Sequence, residues 1–189
     1  MKEMIKSFGS LKAIFPVALI LIYTLLASVF RSYWQPFMVM SIIPFALVGA
    51  IVGHWVTGFE FMLLSWIGFV ALAGIVVNDS LVLVDFINRY RKDHPEAPIF
   101  QAVVASGRAR LRAILLTSIT TIFGLLPLLL ERSLQARFLI PMGVSISFGL
   151  AFTTLLTLFG VPCLYLMLGD LRRLLGLPDR PPARADEDA

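Results

Sequence analysis

Five long apolar runs, at 13–30, 37–56, 61–87, 113–130 and 138–168, constrain this chain more than any other feature. A bilayer core about 30 Å thick is crossed by about 20 mainly apolar residues in a helix rising about 1.5 Å per residue, so each run is read as a spanning helix. The third and fifth runs exceed that minimum and contain no polar break suited to a turn, so they are expected to tilt or project beyond the bilayer. Composition agrees: 58% of the 189 residues are hydrophobic and 15% charged, against about 45–50% and about 25% in soluble domains. A water-soluble fold of this length has no core large enough for that surplus. The first run follows Lys2, Lys6 and Lys12 and outlasts the roughly 7–15 apolar residues of a secretory signal, so it is expected to be retained as a helix. The expected fold is an all-α membrane bundle of five transmembrane helices.

The joints 31–36, 57–60 and 131–137 are short and make the helices they connect antiparallel neighbours. The joint 88–112 is longer. Past Pro95 and Pro98, its residues Ile99, Phe100, Val103 and Val104 fall on one helical face, which predicts a separate amphipathic helix at about 98–107 lying at the cytoplasmic interface. Beyond Gly176, the segment 177–189 is rich in proline and acid and has no apolar residue except alanine after Leu177, so it is expected to be a disordered tail. Of the 16 Lys and Arg residues, eleven fall on the side holding the 88–112 joint and the C-terminus. The positive-inside rule then places that side in the cytoplasm and the N-terminus outside. An outside N-terminus so close to the first span leads to the expectation that a natural upstream part is missing.

Helices in lipid associate through small residues, because apolar helices gain little by hiding from apolar solvent. Gly49 with Gly53, and Gly143 with Ser147 and Ala151, are spaced for such packing. Pro44, Pro127, Pro141 and Pro162 are expected to bend or start helices.

Asp79 is the residue most suggestive of chemistry. It sits about 12 Å from the cytoplasmic end of its run, too deep for a short side chain to reach water. Intramembrane carboxylates are costly and usually functional. The fourth run, travelling the other way, brings Thr117 about 8 Å deep and Thr120 and Thr121 about 12–14 Å deep, so hydroxyls share the level of Asp79. A membrane carboxylate that switches between neutral and ionised forms carries protons; the competing reading is a permanently protonated Asp79 acting as interhelical glue. Asp85 and Asn88 are read as capping or snorkelling residues. Arg108, Arg110 and Arg112 are read as topology determinants, Arg110 drawing further interest from its place near the start of the Thr117 helix. His54, His94 and Cys163 share no metal-ligand spacing, so no metal is expected. Without a phosphate loop, a zinc-protease motif, a nucleophile elbow or a second carboxylate at the depth of Asp79, neither an enzyme nor a cofactor is expected.

Several segments, in order and spacing, resemble the resistance-nodulation-cell division transporters, in particular the hydrophobe/amphiphile efflux branch of the acriflavine-resistance type. They are Phe30-Arg31-Ser32-Tyr33-Trp34-Gln35-Pro36, Ile43-Pro44-Phe45-Ala46-Leu47-Val48-Gly49, the stretch from Gly74 to Asp85, Arg110-Leu111-Arg112-Ala113-Ile114-Leu115-Leu116-Thr117-Ser118, and Gly160-Val161-Pro162. The similarity runs from about Leu11 to Asp170. It implies a proton antiporter of the bacterial inner membrane with twelve spanning helices in two repeats, working as a trimer with a periplasmic adaptor and an outer-membrane channel. On that template the chain is similar to helices eight to twelve, part of the second repeat, as a fragment or split part whose N-terminal permease half is a missing partner. The resemblance further implies a proton relay of Asn78, where many relatives carry a lysine, Thr117 and its basic neighbour Arg110. The absent lysine at Asn78 leaves Asp79 as a different titrating group. The alternative reading is a non-transporting assembly or structural partner of a larger transporter or export complex.

Overall fold

The structure, a computed structural model, describes residues 2–131, 133 and 136–174, with side chains at 15–131, 133 and 136–171. The expected tail at 177–189 lies outside the described residues. The chain is an all-α membrane bundle: α1 (Lys2–Phe30), α2 (Trp34–Met40), α3 (Ile43–Thr57), α4 (Leu63–Asp93), α5 (Ile99–Leu130) and α6 (Ala136–Leu174). Among the described residues, four segments are long and apolar enough to cross a membrane: α2 taken with α3, α4, α5, and Ala136–Leu171 of α6. Phe15–Phe30 of α1 is a shorter apolar helix.

Two elements differ from their sequence reading. The run 37–56 is not one helix but two, divided at Ser41 and Ile42. Pro44 explains the division: it has no N–H to give to the Met40 carbonyl, and its ring crowds that carbonyl. The break is closed locally, by Ser41 N–H to the Phe37 carbonyl at 3.0 Å, Ile42 N–H to the Val39 carbonyl at 3.4 Å, and the Ser41 hydroxyl to the Met38 carbonyl at 2.6 Å. The expected interfacial helix at 98–107 is corrected as well, being the opening turns of α5, which continues unbroken into the membrane run. Nothing between Ile99 and Leu126 stops a helix, because its two glycines, Gly107 and Gly124, cost only about 1 kcal/mol each. The face formed by Ile99, Ala102, Val103 and Ser106 is buried within the protein, so it is spent on the bundle, not on lipid headgroups.

Two of the joints are tight because the residue just past the helix takes a left-handed conformation. Gly58 (φ 73°) closes α3 by giving its N–H to the His54 carbonyl at 2.9 Å, and Arg31 (φ 47°) follows α1. A left-handed residue just past a helix satisfies its last carbonyls and turns the chain.

The core is built around α6, which packs on α3, α4 and α5. Its approach to α3 is close enough that a Cβ at Gly49 would meet the Phe152 Cβ at 2.6 Å, and one at Gly53 would collide with Phe148. These pairings run in opposite directions along the two helices, so α3 and α6 are antiparallel. A Cβ at Gly143 would meet the tips of Leu128 and Leu129 from α5 at 3.3 and 3.2 Å. Ser147 is buried with its hydroxyl unpartnered.

Candidate functional site

Asp79 sits on the half-buried flank of α4, with Asn78 exposed beside it and Ser80 fully buried after it. A helix of this period turns successive residues about 100° apart, so three consecutive polar positions face lipid, flank and core in turn. Arg110 of α5 lies over the Phe86 ring of α4, its guanidinium carbon 4.7 Å from the ring centroid. This stacked cation on an aromatic face fixes how the two helices are aligned. They are antiparallel, and a step of seven residues is about two turns in each. From the Arg110–Phe86 contact, two turns on along α5 and two turns back along α4 lead to Thr117 and Asp79, which therefore share a level about 10 Å further along the pair.

That alignment does not amount to a closed network. Among the described residues, no hydrogen bond or ion pair joins any two of Asp79, Asn78, Thr117 and Arg110. Thr117 is exposed and its hydroxyl bonds back to the Ala113 and Ile114 carbonyls at 3.1 and 2.9 Å. Thr120 and Thr121 likewise bond to the Leu116 and Thr117 carbonyls, each at 2.8 Å. Back-bonding of this kind uses the hydroxyl proton inside its own helix and leaves the oxygen's two lone pairs for outside donors. The Arg110 Nε is buried without a hydrogen-bond partner.

The bundle's polar contacts between helices lie elsewhere. Ser118, one residue after Thr117, meets Thr154 of α6 oxygen to oxygen at 2.7 Å, both buried. This is the contact that fastens α5 to α6 beside the Asp79 level. At the far end of α4, Asn88 is the centre of a three-helix clasp. Its amide pairs reciprocally with Gln35 of α2, at 3.1 and 3.0 Å, and its carbonyl oxygen also accepts the Tyr165 hydroxyl of α6 at 2.7 Å. Arg91 donates to the same Tyr165 oxygen at 3.3 Å. The reading of Asn88 as a cap or snorkelling residue is thus corrected: it is an interhelical hub. Asp85 pairs with Arg89 one turn on, at 2.9 Å, on the surface.

At the opposite end, His54 is buried and uses both ring nitrogens, Nδ1 with the Ala50 carbonyl and Nε2 with the Ser65 hydroxyl, each at 2.9 Å. Ser65 also accepts the Met62 N–H at 3.1 Å. With Nδ1 protonated, every donor finds an acceptor: Nδ1–H to the carbonyl, Ser65 O–H to Nε2, Met62 N–H to Ser65. Sequence reasoning missed both clasps. The available signal was a polar side chain at the end of an apolar run, which identifies a polar group in need of a partner without saying which helix supplies it.

No group of three or more His, Cys, Asp or Glu residues that could hold a metal ion occurs among the described residues.

Comparison with known proteins places the chain. The AcrB/AcrD/AcrF family pattern matches residues 1–169. The chain is 35% identical over 159 residues to multidrug resistance protein MdtC of Pantoea ananatis, covering 82% of this chain and 15% of that protein. It is 33% identical over 157 residues to the MdtC of Erwinia amylovora, with the same coverage. The crystal structure of a heavy metal efflux pump superposes with a TM-score of 0.75 at 30% identity, over 83% of this chain and 16% of that one. The chain therefore spans about 15% of the length of the relatives it matches, and it belongs to the AcrB/AcrD/AcrF family.

Proposed function

We propose that this chain works as one segment of a longer, proton-driven efflux permease of the bacterial inner membrane, exporting hydrophobic or amphiphilic compounds. Its part is to present the α4–α5 surface on which Asp79 takes up and gives up the proton. Thr117 supplies a hydroxyl at the level of the carboxyl, and Arg110, stacked on Phe86, sets a fixed positive charge two turns away. Asn78 stands exposed next to Asp79, where it meets whatever helix completes the surface. The observation that carries this reading is the α4–α5 alignment: the Arg110–Phe86 stack brings a spanning carboxyl and a hydroxyl to one level on a surface open to a further helix. An intramembrane carboxylate is a functional-site candidate by default, and proton relay is one of its recurring uses.

Relatives that carry the names multidrug resistance protein and heavy metal efflux pump support export as the activity. The remaining permease, a trimeric assembly, a periplasmic adaptor and an outer-membrane channel are the partners the proposal requires.

The test is expression of the chain together with the rest of a permease, in cells stripped of their main pumps, scored for drug tolerance. Tolerance that needs both parts and disappears with Asp79→Asn is the expected result. Tolerance unchanged by Asp79→Asn removes the proton role. Stable insertion of both parts without tolerance leaves the chain an inert fragment or a non-transporting assembly partner.

A further inference from the structure

A second feature of the molecule lies away from the α4–α5 surface. Where α3 turns into α4, a groove of about 600 Å³ runs along the outer face of α3 and opens at the turn. Leu47, Ile51 and Trp55, one helical turn apart from each other, form its length, and Phe61 and Trp66 close its other side. The volume lies within the roughly 300–1,000 Å³ usual for ligand pockets.

Two facts define the occupant. First, among the described residues Glu60 is the only charged one lining the groove, it is exposed, and no cation pairs with it. The other titratable lining group, His54, has both ring nitrogens engaged. Aromatic faces beside a carboxylate form a receptor for an ammonium group. Trp55 is 84% exposed, so its ring is available to a ligand and not already packed. Second, the groove is elongated along the span axis. From Leu47 to the end of α3 at Thr57 is about 15 Å, the direction and reach of an acyl chain lying beside a helix.

We propose that this groove seats a phospholipid of the surrounding bilayer that carries an ammonium headgroup, as phosphatidylethanolamine does. The ammonium is held by Glu60 and the Trp55 and Trp66 rings, and one acyl chain lies along Leu47 and Ile51. The left-handed Gly58 (φ 73°) turns the chain at the end of α3, and Glu60 lines the same groove as Leu47, Ile51 and Trp55. The binding is independent of any part the chain takes in transport.

The test uses the full chain carrying Trp34→Phe, so that of its three tryptophans only the two in the groove remain. It is reconstituted in phosphatidylglycerol vesicles containing a minor fraction of lipid with brominated acyl chains, which quench tryptophan on contact. Brominated phosphatidylethanolamine should quench more than brominated phosphatidylglycerol at equal mole fraction, with a relative association about two- to fivefold higher. Glu60→Gln should abolish that preference and Glu60→Asp keep it. Should Glu60→Gln fail to insert, raised salt applied to the Trp34→Phe chain should weaken the preference through screening at the exposed mouth. Quenching blind to headgroup, or a preference untouched by Glu60→Gln or by salt, overturns the proposal. Headgroup-blind lipid quenching together with strong, Glu60-dependent binding of tetraphenylphosphonium would give the groove to a free organic cation instead.

Discussion

α5 and α6 are the two longest helices, 32 and 39 residues, and both are apolar enough to span a membrane. Yet 56% of the most apolar stretch is buried in α6 and 11% in α5. Apolarity therefore does not decide which helix the others gather on. Within lipid it cannot, since an apolar side chain is as well solvated by hydrocarbon as by a neighbouring helix. What distinguishes α6 is its buried row of small and hydroxylated residues, with Gly143, Ser145, Ser147, Gly149, Thr153, Thr154 and Thr157 all inside. Gly107 and Gly124 of α5, by contrast, have open space where a side chain would stand. The surface of α5 that carries Thr117 is correspondingly unspent.

The sharpest way to break this comparison is to thicken α6's contacts. A Cβ at Gly68 of α4 would meet the Met142 carbonyl oxygen at 2.7 Å and its Cα at 3.1 Å. Both are backbone atoms that cannot swing aside. Gly68→Val should destabilise the bundle by about 3 kcal/mol, the upper end of overpacking costs, read as a shift in unfolding midpoint in mixed micelles. Gly124→Ala, which has open space for its methyl, should instead be neutral or stabilise by up to about 1 kcal/mol; a Gly68→Val effect no larger than that would show that α6 is not the organising helix.

The Asn88 clasp comes next. Asn88→Ala leaves the Gln35 amide, 2% exposed, without its reciprocal partner and frees the Tyr165 hydroxyl from its 2.7 Å bond. A buried polar group left unsatisfied costs about 1–3 kcal/mol, so a loss of about 2 kcal/mol is expected in the same measurement. Tyr165→Phe removes the bond to Asn88 and the weaker one from Arg91 at 3.3 Å but leaves Gln35 paired, and should cost about 1 kcal/mol, at an average of about 0.6 kcal/mol for a hydrogen bond between membrane helices. Equal losses for the two variants would mean that Tyr165, not Asn88, is the hub.

How much of this was legible in the sequence follows from the same physics. Spanning runs are visible because a bilayer demands length and apolarity in one continuous stretch, and Asp79 stands out because a carboxylate there is rare. The α2–α3 break was half visible: Pro44 announces a disturbance, but whether a helix kinks or parts depends on whether local groups such as Ser41 close the gap. The 98–107 segment was misread because an amphipathic face looks the same whether it meets lipid headgroups or, as here, the rest of the bundle. The Asn88–Gln35–Tyr165 and Ser118–Thr154 pairings were not legible, since a single sequence carries no information on which helix faces which.

Ser118 and Thr154 supply a smaller effect that bears directly on the α5–α6 contrast, because theirs is the polar contact fastening the exposed helix to the buried one. Ser118→Ala and Thr154→Val, singly and together, form a cycle whose coupling energy isolates that contact. Each hydroxyl also lies within bonding distance of a carbonyl of its own helix, Ser118 of Ile114 at 2.9 Å and Thr154 of Leu150 at 2.7 Å; with one proton apiece, one hydroxyl donates across the join while the other donates to its own helix. The single changes therefore mix local and interhelical terms, and only the coupling, expected at about 0.6 kcal/mol, reports the join. Coupling near zero would mean that α5 is held by its apolar contacts alone.

The smallest expected effect is the most telling. Leu116 and Phe123 of α5 are 59% and 66% exposed, so in the isolated chain Leu116→Ala and Phe123→Ala should change stability by no more than about 0.5 kcal/mol, as for any surface change. If α5 is the surface on which the rest of a permease closes, the same two changes in the assembled protein become core truncations costing about 2–5 kcal/mol. The ratio between the two settings, read by unfolding the chain alone and within the assembled permease, measures how much of α5 is reserved for a partner. A ratio near one would leave α5 facing lipid in both, and Asp79 and Thr117 would then share a level with no helix opposite to exchange a proton with.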